Sequence, residues 1–177
     1  MKNGKTALRY AKALLDLSLE GKTEGEVFQN MQDLTETIDN SGDLRNLLNN
    51  PVIKSDEKAK VLTALFGKSF NDLSTRTIAL LISNKRENIM AEVAEQFITI
   101  YKENKNIITA EVTSAVKLDE DQKAKVMALL NHTGEVELVE KIDAKLIGGF
   151  IVKVGDKQID ASIAKKFKDL RKEIILN

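Results

Sequence analysis

The sequence predicts a mostly α protein with a smaller α+β part: an amino-terminal six-helix bundle over residues 1–105, followed by a small α/β carboxyl-terminal domain over residues 106–177. Three observations predict it. Apolar residues recur with a helical period from residue 5 to about residue 105. Asn104-Lys105-Asn106 then breaks the composition, and beyond it the apolar period becomes alternating. Finally, Ile142 to Ile163 combines an apolar β-type run, a Gly148-Gly149 pair, a Gly155-Asp156 turn and a helix start.

In chain order, the first helix covers roughly Lys5 to Glu20. Lys5, Arg9, Lys12, Asp16 and Glu20 fall in one narrow arc, and apolar side chains fill the rest. That apolar arc is wider than the stripe of about 100° that a surface helix needs, so this helix buries more than one face. The second helix, about Thr23 to Asn40, has an ordinary stripe of Val27, Met31, Leu34 and Ile38. A short third helix, Asp43 to Leu48, ends at Asn49-Asn50-Pro51, because the residue before proline avoids the helical region. Ser55 reads as the N-cap of a fourth helix that stops at Gly67, with Lys58 where a capping box has Glu. The fifth, Asn71 to Ser83, and the sixth, Asn88 to Asn104, are again apolar over wide arcs. Arc width alone therefore does not say which helices face a partner.

Past the break, Ile108, Ala110, Val112 and Val116 point one way in a strand. Asp119 with Gln122 is a capping-box pattern opening a helix to about Asn131. Val136, Leu138 and Ile142 form a second strand, and Leu146 to Val154 a third with the glycine pair inside it. Gly155-Asp156 turns the chain into an extended segment. A last helix starts near Ala161, with Ile163, Phe167, Leu170 and Ile174 as its stripe and a basic flank.

Composition excludes several classes. There is no cysteine, hence no disulfide scaffold, thiolate metal site or cysteine nucleophile. Residues 1–105 carry 15 basic and 15 acidic side chains and residues 106–177 carry 12 and 12, within chain totals of 27 and 27. Neither part has the basic excess of a protein held on phosphates, so no nucleic-acid partner is expected. The longest apolar run, Ile78 to Ile82, is too short to span a bilayer. Lys2, Lys5, Arg9 and Lys12 precede the first acid, Asp16, which faintly resembles a transit peptide; a helix with one basic face is the simpler reading.

Chemical motifs are incomplete. Gly67-Lys68-Ser69 is the tail of a phosphate loop, but Leu62 stands where its first glycine belongs. The lone His132 has no second member. Asp143, Asp156 and Asp160 could converge as a carboxylate cluster for a divalent metal, and each also has a plain role at a strand end, a turn and a helix cap. No cofactor, metal or catalytic residue is assigned.

Taken together, the motifs resemble the delta subunit of F-type ATP synthase, the oligomycin-sensitivity-conferring protein family. The resemblance rests first on Leu146-Ile147-Gly148-Gly149-Phe150, Val154-Gly155-Asp156 and Ile159-Asp160-Ala161-Ser162, where the family commonly has Gly in place of Ala161. Tyr10-Ala11-Lys12-Ala13-Leu14, Asn50-Pro51, and Leu80-Leu81 with Asn84 and Arg86 support it. The family implies a non-catalytic stator in the peripheral stalk, a monomer when isolated. It links the amino-terminal helices of the alpha subunits to the carboxyl-terminal helices of the b subunits and resists torque during proton-driven ATP synthesis. It implies a place at the cytoplasmic face of the cell membrane, reached only through the complex. It also implies an alpha-subunit helix in a groove between helices one and five, which selects Tyr10, Ala13, Leu14, Leu17, Ile78, Leu81 and Ile82. Gly148, Gly149, Phe150, Gly155, Asp156, Asp160 and Ser162 are read as structural. The alternatives are a small helical RNA-binding regulator and a metal-dependent hydrolase using the three aspartates.

Overall fold

The computed structural model describes residues 2–130 and 134–176. The chain divides into two compact units, residues 1–102 and 103–177, each with its own apolar cluster.

The first unit is built from α1 (Lys2–Glu20), α2 (Glu24–Asn40), α3 (Gly42–Asn49), α4 (Ser55–Phe66), α5 (Asp72–Ser83), a 3-10 turn (Glu87–Ile89) and α6 (Met90–Asn104). Helix α1 packs on α2 and α5, α2 on α3 and α5, and α4 on α5. Ala7, Ala11, Leu14, Val27, Met31, Leu62, Leu81, Met90 and Phe97 lie in one core. The wide apolar arcs are therefore split. Of α1, Ala7, Ala11, Leu14 and Leu15 are buried, whereas Leu17 and Leu19 are exposed.

Caps and turns explain the boundaries. The Ser41 hydroxyl accepts from Leu44 N–H to start α3, and the Asn71 carboxamide accepts from Ser74 N–H to start α5. The expected cap of α4 is corrected: Lys54 is its N-cap and Ser55 already lies within the helix. Helices α1 and α5 end in the same way, with a residue other than glycine in the left-handed position. Thr23 N–H returns to Ser18 O and Lys22 N–H to Leu19 O; Arg86 N–H returns to Leu81 O and Lys85 N–H to Ile82 O. Lys22 and Lys85 both take φ 54°. These are Schellman caps with lysine in the left-handed position that glycine usually fills.

In the second unit, β1 (Ile108–Ser114), β2 (Val136–Ile142), β3 (Phe150–Val154) and β4 (Lys157–Asp160) form a sheet of order β2-β1-β3-β4. Strands β1 and β2 are parallel, joined through α7 (Glu120–Leu130), and the other pairs are antiparallel. A parallel pair requires such a crossover. Ala110 and Val112 of β1, Phe150 and Val152 of β3, Val126 of α7, and Leu118 from the loop before α7 make the core. The Asp119–Gln122 box forms in full: Gln122 N–H donates to Asp119 Oδ1 at 2.7 Å and Asp119 N–H to Gln122 Oε1 at 3.1 Å. Helix α8 (Ile163–Leu176) follows β4.

Two expectations are corrected here. The third strand begins at Phe150, not Leu146. Gly148 and Gly149 take φ 156° and 77°, which breaks the extended run before it. Val116 lies beyond the end of β1 and is exposed, as is Ile142 at the end of β2.

Candidate partner-binding face

The expected groove residues separate into two sets. Leu14, Ile78, Leu81 and Ile82 are buried in the core of the first unit. Ala13 and Leu17 of α1 are exposed, Leu17 to 52%, and Tyr10 is half-buried. Leu80 of α5, named above only in the Leu80-Leu81 motif, is 50% exposed. A partner on this side would therefore meet Ala13, Leu17 and Leu80, with the buried set forming the floor that fixes α1 against α5.

Tyr10 joins the two helices. Its phenol oxygen accepts from Asn84 Nδ2 at 3.2 Å and from Arg86 Nη1 at 2.9 Å. The Arg86 guanidinium also lies 5.6 Å from the ring centroid, within cation–π range. Tyr10 of one motif thus meets Asn84 and Arg86 of the other, 74 and 76 positions on. The Schellman turn at Lys85 delivers Arg86 there.

In the second unit, the glycine pair lies against the start of α8. Ile163 N–H donates to Gly148 O and Ala161 N–H to Phe150 O, both at 3.0 Å. A Cβ on Gly149 would stand 2.5 Å from Ala161 O. Gly155, at φ 55°, and Asp156 turn β3 into β4, with Val154 paired to Lys157. Asp160 Oδ1 accepts from Ser162 N–H, and Ser162 Oγ accepts from Lys165 N–H to cap α8. Hydrogen bonds from the Ser162 side chain and backbone hold the Asp160 carboxyl below its ordinary value.

Asp143 and Asp160 each accept a local backbone N–H. No group of three or more His, Cys, Asp or Glu suited to a metal occurs among the described residues. His132 and the side chains of Leu170 and Ile174 lie outside the described residues. Of the rest of the α8 stripe, Phe167 is 67% exposed.

A residue missed in the sequence is Lys58, whose side chain is only 2% exposed. It occupies the stripe position one turn before buried Leu62, with Phe66 one turn further on. Its Nζ donates to Glu87 Oε1 at 2.7 Å and to Leu48 O at 3.0 Å. Burial alone would raise the Glu87 carboxyl; the hydrogen bond and charge of Lys58 overcome this and leave it below 4.5.

A helical unit that leaves Leu17 and Leu80 among its exposed apolar side chains is followed by a small sheet unit. Comparison with known proteins places the chain in a family. The sequence model of the family described as ATP synthase delta (OSCP) subunit matches residues 6–174. A protein named ATP synthase subunit delta from Prochlorococcus marinus (strain MIT 9301) is 38% identical over 164 residues, covering 91% of each chain. One of the same name from Christiangramia forsetii is 37% identical over 176 residues, covering 98% of this chain and 95% of its own. A chain in the cryo-EM structure of the Toxoplasma gondii mitochondrial ATP synthase hexamer shares the fold, with a TM-score of 0.71 at 23% identity over 96% of this chain and 97% of that one. The protein belongs to the ATP synthase delta (OSCP) subunit family. Its function is that of the family: a structural, non-catalytic subunit of the peripheral stalk of F-type ATP synthase.

Proposed function

We propose that the first unit acts as a six-helix bundle that receives the amino-terminal helices of the alpha subunits on its α1/α5 face, while the second unit meets the carboxyl-terminal helices of the b subunits. The connection holds the catalytic head against the rotating central stalk during proton-driven ATP synthesis. One observation carries this reading: Ala13, Leu17 and Leu80 stay exposed on two helices that bury Ala7, Ala11, Leu14, Ile78, Leu81 and Ile82 in the core. An apolar strip of this kind suits an amphipathic helix. No helix among the described residues is long and apolar enough to cross a membrane. Attachment at the cytoplasmic face of the membrane then comes from the complex, and the isolated chain is a monomer.

Calorimetric titration of the full chain with a synthetic alpha-subunit amino-terminal peptide tests the face. Tyr10→Asp should weaken binding at least about tenfold, because it removes an aromatic contact and places a carboxylate at the edge of an apolar strip. Binding by this variant equal to that of the wild type would dismiss the α1/α5 assignment.

A further inference from the structure

The cluster at Tyr10 lies at the surface, with Asn84 and Arg86 exposed and Tyr10 half-buried. Asn84 Nδ2 and Arg86 Nη1 are both donors, so the phenol oxygen accepts from each. Its own O–H hydrogen remains to be donated, and no acceptor meets it among the described residues. Arg86 likewise has N–H groups open to solvent. A guanidinium carries five N–H donors and no acceptor, yet Arg86 forms no ion pair with a carboxylate among the described residues. The adjacent Glu87 is committed to Lys58, and Lys85 adds a second exposed positive charge. Arg86 is also held rather than free, pinned by its hydrogen bond, by the Tyr10 ring and by the Schellman turn that carries it. The end carbonyls of α5 are taken by the N–H groups of Asn84, Lys85 and Arg86, so the helix terminus does not compete for those side-chain donors.

A fixed cation, a spare O–H and spare N–H groups beside an exposed apolar strip make a donor set for one planar anion. We propose that Tyr10 and Arg86 together read a carboxylate, an aspartate or glutamate side chain carried by the amphipathic helix that occupies the α1/α5 face, with Asn84 setting the tyrosine. This rests on the proposed docking of the alpha-subunit helix and adds what that helix must present. The apolar strip supplies contact area. The carboxylate fixes the register of the helix along the face, because only one acid at a time reaches the cluster.

The test is a double-variant cycle by calorimetry, using the full chain and a synthetic alpha-subunit amino-terminal peptide. Each acid of the peptide is changed in turn to its amide. Arg86→Gln should weaken binding of the unaltered peptide about tenfold and flatten its dependence on salt. One acid-to-amide change should cost the wild type a similar factor and cost Arg86→Gln nothing further. Tyr10→Phe should give a smaller loss, about threefold, coupled to the same acid. Arg86→Lys should keep the salt dependence and lose part of the affinity, since it retains charge without the fork. Helical circular dichroism and melting of each variant separate binding loss from unfolding. If Arg86→Gln binds every peptide as tightly as the wild type, or if all acids contribute alike without coupling, the carboxylate reading is overturned and the apolar face stands. If the wild type itself binds no peptide, both fall.

Discussion

Lys58→Met should lower the stability of residues 1–102 by about 3–5 kcal/mol, a fall in melting temperature on the order of 20 °C for a unit of this size. The reason is what the substitution leaves behind. Lys58 and Glu87 form a pair at 2.7 Å with side chains 2% and 11% exposed. Glu87 Oε2 is buried and has no hydrogen-bond partner among the described residues, and Lys58 is the first of the groups that compensate this carboxylate, ahead of a backbone hydrogen bond and the charge of Lys85. The same ammonium satisfies Leu48 O near the end of α3. Three elements, α3, α4 and the 3-10 turn, are thus tied through one side chain. A methionine fills the stem volume but strands both acceptors. Scanning calorimetry of the full chain should show the transition of the helical unit moved down and that of the sheet unit unchanged. A loss below about 1 kcal/mol would mean that the pair is a spectator. Lys58→Met combined with Glu87→Leu should recover more than half of the loss, because the uncompensated charge is gone and only Leu48 O remains without its donor.

The pH dependence gives an independent check. Against the upward push of burial, Lys58 holds the Glu87 carboxyl below its ordinary value in the folded chain. A depressed folded value means that the pair contributes fully above the unfolded value and is lost as pH falls through the folded one. The wild type should therefore lose stability on acidification below about pH 4.5. In Lys58→Met the lone buried carboxyl has the opposite tendency, its value raised by desolvation. Protonation then relieves the variant, and the gap between variant and wild type should narrow on acidification. Parallel stability curves across that range would show that Glu87 is not the group left stranded.

What was legible in the sequence is what neighbours in sequence decide. The Asp119–Gln122 box, the break at Asn50-Pro51 and the Gly155-Asp156 turn each depend on residues within a few positions of one another, and each forms. Helical periods located α1 to α6 because a buried stripe must recur at the helix repeat. What was illegible depends on distant partners. Lys58 reads as an imperfect capping box until Glu87, 29 positions on, is seen opposite it. The Schellman ends at Lys22 and Lys85 place lysine, not glycine, in the left-handed position, and at α1 the glycine of the sequence, Gly21, stands one residue earlier. Leu80 and Leu81 are equally apolar, and only the packing of α5 decides that Leu81 is core and Leu80 surface. For the candidate face, the sequence pointed to wide arcs on α1 and α5 but could not divide each arc between core and surface. It marked Tyr10, Asn84 and Arg86 as motif positions without indicating that they touch.

Gly149→Val should unfold the sheet unit while residues 1–102 keep their helicity. Gly149 sits at φ 77°, in the half of conformational space where a side chain costs about 1–2 kcal/mol and a β-branched one more. The Cβ would also stand 2.5 Å from Ala161 O, 3.0 Å from Ser162 Cα and 3.1 Å from Ile163 N. All three are backbone atoms, and that backbone is clamped on both sides, by Ala161 N–H to Phe150 O and Ile163 N–H to Gly148 O. Relief requires opening one clamp, which releases either the start of β3 or the cap of α8. Overpacking of this sort adds about 1–3 kcal/mol. Against it stands a core of Ala110, Val112, Leu118, Val126, Phe150 and Val152, small enough that a loss of several kcal/mol exceeds what such a unit holds in reserve. Hydrogen exchange followed by mass spectrometry separates the units. Peptides from β1, β2 and β3 should exchange at the unfolded rate in the variant, and peptides from α1, α2 and α6 at the wild-type rate. Gly149→Ala should fall between, since it keeps the clash and the strain but not the branching. Wild-type protection of the strands in Gly149→Val would show that the segment after Asp160 can move away freely, and that the glycine pair is not what seats α8 on the sheet unit.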